Sequence, residues 1–251
     1  MRSVSRFLFA ASALVALAGC SSDSSVAPVS RPATLDGALG ELTLSAVMPA
    51  GVTSTFPGAT ASLTPNNCAF DAASRSFICA TVSGSGYSIN SSFELLNSSG
   101  GAQSAFDQTT TAAIRTKGTV TGSQVINGET FGTDVAQTLT LSGLLSGVHT
   151  LNGTQLLKLT STPAGGTAST MTVSTTITEL VLPAEPGPGH YPKSGTIAQT
   201  LSAPGRAGLP AFSGSTLITF NGTSKVDVVI SFGTVSQHCI MDLAASAPSC
   251  S

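Results

Sequence analysis

Leu217-Ile218-Thr219-Phe220-Asn221-Gly222-Thr223-Ser224-Lys225-Val226-Asp227-Val228-Val229-Ile230 is the stretch that decides the fold class. Two runs of β-branched and apolar residues flank an Asn-Gly pair. Both residues of that pair tolerate the positive φ of a type I′ turn, so the stretch predicts two strands joined by a tight hairpin. The same dipeptide recurs as Asn127-Gly128 and Asn152-Gly153, again between runs of Thr and apolar residues, and predicts two more hairpins. Period-two alternation is clearest where Met171, Val173, Thr175, Ile177 and Glu179 interleave with Thr172, Ser174, Thr176, Thr178 and Leu180. Thr suits either face of a strand, so elsewhere the alternation is blurred.

Extending this reading gives short strands at 58–64, 66–71, 75–84, 86–97, 104–116, 117–126, 129–142, 154–162, 168–182, 194–203, 213–221, 224–235 and 237–242, with a last return near 247–250. The expected class is all-β: a single antiparallel meander of about 10–14 strands. So many strands must curl, pack as a sandwich, or close partly into a barrel. The segment 183–192 holds four prolines and reads as a stiff connection outside any ladder. At most one short helix is expected, over 34–44, where Leu35, Leu39 and Leu42 recur at helical spacing.

Five cysteines divide into one and four. Cys68 and Cys79 have ten residues between them, as do Cys239 and Cys250. Each pair suits a disulfide across a hairpin, and an even set in an exported chain reads as disulfides. For the first pair the ladder would run Ala69 to Ile78, Phe70 to Phe77 and Asp71 to Ser76, around a turn at 72–75. Asp71 and Asp242 each follow the first cysteine of their pair by three residues, placing a carboxylate where it can accept turn N–H groups. Metal sites use closer cysteine pairs with further ligands nearby, so no metal is expected.

The fifth cysteine ends MRSVSRFLFAASALVALAGC. Arg2 and Arg6 form a basic start, and Phe7–Leu17 is an apolar run too short to span a bilayer. Leu17-Ala18-Gly19-Cys20 resembles the lipobox of bacterial lipoproteins. The resemblance implies cleavage before Cys20 by the lipoprotein signal peptidase, a diacylglycerol thioether on its sulfur and acylation, for example with palmitate, of the new amino terminus. Several acyl chains on one residue suffice for stable anchoring. Ser21, rather than Asp, after the cysteine implies sorting to the outer membrane. The expected organisation is a signal peptide over 1–19, a Ser- and Pro-rich tether over 20–33 that lifts the domain off the lipid, and a β domain over 34–251.

Charged residues are 9% of the chain, far below the usual quarter or so, and Ser with Thr exceed a quarter of it. Without the two signal arginines, 8 basic and 12 acidic residues leave a net charge of −4, with no basic stripe for nucleic acid. There is no Trp and there are only two Tyr, so surfaces that stack sugars or bases are disfavoured. His149, His190 and His238 lack partners at metal spacing and read as turn or surface residues. No nucleophile elbow, zinc-protease motif or phosphate loop occurs. The expectation is a non-enzymatic, cofactor-free envelope lipoprotein with a structural or interaction role, whose partners are the membrane through Cys20 and another envelope protein. A carrier for an apolar ligand is the alternative, and a hydrolase built from distant residues is the weakest reading.

Overall fold

The computed structural model describes residues 67–183, 190–205, 210–244 and 247–250. The lipobox, the tether, the helix at 34–44 and the strand at 58–64 lie outside these residues. Within them the chain is all-β, with fourteen strands and no helix. They are β1 (Cys68–Asp71), β2 (Ser76–Cys79), β3 (Val82–Gly84), β4 (Tyr87–Asn97), β5 (Ala102–Gln103), β6 (Thr111–Ile126) and β7 (Glu129–Ser142). The second half adds β8 (Thr150–Thr162), β9 (Ser169–Val181), β10 (Ser194–Ala203), β11 (Phe212–Phe220), β12 (Lys225–Phe232), β13 (Val235–Asp242) and β14 (Ala247–Cys250).

Every pairing is antiparallel, and the order β1-β2-β4-β6-β7-β8-β9-β10-β11-β12-β13-β14 is a meander in one sheet. β3 and β5 are short strands laid against β4. The sheet neither splits into two layers nor closes: among the described residues β1 pairs only with β2 and β14 only with β13. Of the architectures the sequence allowed, the single open sheet is therefore the one realised.

The connections alternate between two ends. β3–β4, β6–β7, β8–β9, β10–β11 and β12–β13 turn at one end, here called the rim. β1–β2, β7–β8, β9–β10, β11–β12 and β13–β14 turn at the other, the base.

Residues opposite one another in an antiparallel pair share a face, so the registers trace rows across the sheet. Near the base one face carries Leu95, Ile114, Leu141, Leu151 and Leu180, continued beyond an irregularity by Phe220, Val226 and Met241. These residues belong to a buried cluster that runs unbroken from β4 to β13. One row further toward the rim, Phe77 stacks on Phe93 with ring centroids 4.6 Å apart. Next comes a polar row, Gln137, Gln155, Thr175 and Gln199, in which Gln155 donates to Gln137 and Gln199 to Thr175. Beyond it Ile89, Val120, Val135 and Leu157 form a second, smaller buried cluster.

Several local readings are corrected. Residues 111–126 form one strand rather than two, because ladders to β4 and β7 continue through Thr116, Lys117 and Gly118. The strand expected from 104 begins at Thr111, and the intervening chain turns at Asp107, which accepts hydrogen bonds from Thr109. Asn127-Gly128 does form the expected tight turn, with φ of 53° and 79° between paired Ile126 and Glu129. Asn221-Gly222 joins β11 to β12, but only Gly222 has positive φ, and Asn221 instead accepts from Thr223 N–H and Oγ1.

Asn152-Gly153 is not a hairpin at all: it lies inside β8, paired across to Thr140 and Leu139. The turn is made upstream by Gly143 and Gly147, both at positive φ. The dipeptide serves a bulge. Leu151 pairs with Leu180 but Gly153 with Ile177, so Asn152 faces two residues of β9. Glu179 sits there at φ 47° and donates its N–H to Asn152 Oδ1 at 2.8 Å. A Cβ on Gly153 would stand 2.3 Å from the Thr138 carbonyl oxygen, so only glycine admits this close strand approach.

Candidate functional site

The residue with the most definite expected role, Cys20, lies outside the described residues. The other four cysteines are bonded as Cys68–Cys79 and Cys239–Cys250, each across the expected hairpin. The first ladder pairs Ala69 with Ile78, Phe70 with Phe77 and Asp71 with Ser76, as the spacing required. Asp71 accepts from Ser74 N–H at 2.9 Å and from Ser74 Oγ at 2.5 Å, and these bonds hold its carboxyl below the ordinary carboxylate value. Asp242 accepts from Ala244 N–H at 2.9 Å. Asp107, held down by Thr109 in the same way, is a turn carboxylate that the spacing did not single out. All three carboxylates shape base connections, and none lines the trough that crosses β4, β6, β7, β8 and β9.

The histidines are dispersed. His149 is buried in the β7–β8 connection, not on the surface, and its carbonyl accepts from Leu182 N–H. The connection is drawn in because its neighbour Leu144 joins the apolar cluster. His190 is exposed beside the β9–β10 connection. His238 points away from buried Cys239, as strand alternation demands, and its Nε2 lies 3.2 Å from Asp227 Oδ1. Among the described residues no three His, Cys, Asp or Glu side chains gather into a metal-binding group. Glu129 and Asp134 do not converge either: Glu129 accepts from Ser161 Oγ, and Asp134 stands opposite Lys158 on the other face.

One hollow lies on the face opposite the apolar cluster. It is an open trough of about 620 Å³ across β4, β6, β7, β8 and β9. Ala136 and Leu156 floor it, and Asn90, Ser92, Thr119, Thr138 and Thr154 wall it. Its single cation, Lys117, is 2.8 Å from Glu94, which also binds Arg115 at 3.0 Å. The hollow is thus close to neutral and hydroxyl-lined, with no nucleophile–base pair. Sequence reasoning missed it, because it depends on how the strands stack Thr and Ser in rows, and no spacing in one strand encodes that.

The chain matches no protein-family model, and no curated protein or solved structure is significantly similar to it.

Proposed function

We propose that this is an exported lipoprotein, acylated on Cys20 and anchored in the cell envelope at the outer membrane, whose β domain has a non-catalytic structural or interaction role. The observation that carries the reading is the ordered series of Arg2 and Arg6, the apolar run 7–17 and Leu17-Ala18-Gly19-Cys20. The two disulfides are compatible with an oxidising compartment. A non-catalytic role is supported by the dispersal of the histidines and carboxylates among the described residues, where Asp71 and Asp107 are tied into turns, Glu129 to Ser161 and His238 to Asp227. Carriage of an apolar ligand needs an apolar void of several hundred Å³. The most apolar part of the sheet is instead filled by its own side chains, with Leu95, Ile114 and Leu141 fully buried. Mass spectrometry of the protein from its host is the test. The expected result is a chain beginning at Cys20 and carrying diacylglycerol and an amide-linked acyl group. An unmodified Cys20 overturns the anchor, and a stoichiometric co-purifying lipid beyond the anchor replaces the structural role with carriage.

A further inference from the structure

The three Asn-Gly dipeptides of this chain stand in three different settings. In such a pair the backbone nitrogen of the glycine can attack the carboxamide of the asparagine before it, because glycine puts no side chain in the way. The attack needs both groups free. At Asn221-Gly222 both are held. Gly222 N–H donates to the Pro192 carbonyl at 3.0 Å, and Asn221 Oδ1 accepts from Thr223 N–H and Oγ1. At Asn152-Gly153 the carboxamide accepts from Glu179 N–H at 2.8 Å, and the pair lies inside β8 with ladders on both edges. Asn127-Gly128 is the tip of the β6–β7 hairpin, and both residues are exposed. Among the described residues neither the Gly128 N–H nor the Asn127 carboxamide has a hydrogen-bond partner. A Cβ at Gly128 would meet nothing within 4 Å, so a ring formed there has room.

We propose that Asn127 is a self-modification site, which converts to aspartate and isoaspartate in the folded protein while Asn152 and Asn221 are held as asparagine. The Gly128 nitrogen attacks Asn127 Cγ. The new N–Cγ bond forms, the Cγ–Nδ2 bond breaks, and Nδ2 leaves with the amide proton as ammonia. The product is a five-membered succinimide ring. Water then opens the ring at one of its two carbonyl carbons, giving aspartate at one and isoaspartate at the other. The sum is one water consumed and one ammonia released, with no oxidation or reduction. Asn127 must first rotate away from φ 53° to present Cγ. It stands at the end of a ladder, where local opening costs far less than in the interior of β8. Either product adds a negative charge to the tip. Isoaspartate also routes the backbone through Cγ and lengthens it by one carbon. A two-residue turn has no slack for that atom, so the Ile126:Glu129 and Val125:Thr130 pairs open. The proposal does not depend on acylation of Cys20.

The test is a time course on the full-length folded protein in warm, mildly alkaline buffer. Peptide mapping reads the mass gain at each asparagine, and electron-transfer fragmentation separates aspartate from isoaspartate. The expected result is conversion at Asn127 on the order of tenfold faster than at Asn152 or Asn221, since each hydrogen bond that must first break adds to the barrier. The same chain, reduced and unfolded in denaturant, is expected to convert all three at similar rates, which assigns the difference to the fold. The isoaspartate form should also exchange its amide hydrogens faster at Val125 and Thr130 than the parent does. Asn127→Gly keeps a pair that suits the type I′ turn and removes the reacting carboxamide, so its mass gain at the tip should vanish with the ladder intact. Equal rates at the three sites in the folded protein overturn the proposal. So does a folded Asn127 that stays unconverted while the unfolded chain reacts, because the turn then locks the pair.

Discussion

The base and the rim of this sheet are built from the same strands and differ in what their connections do. Base connections are tied to one another through the backbone: Leu182 N–H to the His149 carbonyl, Gly222 N–H to Pro192, Leu243 N–H to Ser224. Leu144, Leu182 and Leu243 turn inward from them onto the buried cluster, while Val148 stays exposed. Three rim connections are two-residue turns, such as Ile126-Asn127-Gly128-Glu129, which closes a ladder and leaves Val125 and Ile126 in solvent. A two-residue turn has no chain to spare for folding back over the sheet. A connection of seven residues, such as 143–149, does. The seven-residue β7–β8 connection thus adds Leu144 to the buried cluster, whereas the two-residue β6–β7 and β12–β13 turns add no residue to it.

The sharpest test of that contrast is a pair of truncations. Leu141→Ala, at a fully buried base position, is expected to lose about 2–5 kcal/mol in denaturant unfolding. Val235→Ser at the rim is expected to stay within about 0.5 kcal/mol of the parent. Equal losses would dissolve the distinction between the ends. Next in size are the disulfides. The double variant Cys68→Ser, Cys79→Ser opens a loop with a sequence separation of 11 and should lower stability by about 3 kcal/mol in the chain-entropy model. Peptide mapping without reductant should find Cys68 linked to Cys79 and Cys239 to Cys250, and a crossed pair would break the register.

Two glycines in the middle of the sheet refine the comparison. Gly153→Ala brings a Cβ to 2.3 Å from the Thr138 carbonyl and should destabilise by about 1–3 kcal/mol. Gly118→Ala meets nothing closer than the Gln137 amide at 3.5 Å and should be tolerated. Thr116 presents a second local case: its hydroxyl is buried in the apolar row without a hydrogen-bond partner. Thr116→Val removes that unpaired group at nearly constant shape and should raise stability by about 1 kcal/mol. The smallest effect is at the base turns. Asp71 and Asp107 titrate below their ordinary value of 3.8 when folded. Their contribution is therefore present above that value and lost as pH falls through the folded one. Asp71→Asn with Asp107→Asn should flatten the acid limb of a stability–pH curve without changing the plateau's shape.

Much of the architecture was legible residue by residue. Asn127-Gly128 specified its turn because the needed conformations are local. The cysteine spacings specified their ladders because a cross-strand disulfide admits one register. Asn152-Gly153 shows the limit. The same local tolerance of positive φ is compatible with a turn or with a bulge and close strand approach, and the choice fell to the pairing of β7 and β9 on either side. The strand break expected at Lys117 failed for a related reason, since continuous ladders on both edges outweigh a glycine's weak preference. His149 reads as a turn or surface residue and does lie in a connection, but it is buried there, and nothing in its neighbours announces that Leu144 pulls the connection inward.

The sequence by itself determined the all-β class, the meander, the hairpin disulfides and the lipobox-like start, because each rests on contacts or conformations within a few residues. The tertiary structure alone decided that the sheet stays open, that Gln137, Gln155, Thr175 and Gln199 line up between two apolar clusters, and that Leu144, Leu182 and Leu243 pack on the core from base connections while Val125, Phe232 and Val235 stay exposed at the other end. Those features arise from which strands stand beside one another. In a chain where Thr can face either way, one strand's pattern carries too little information to choose its neighbour's register.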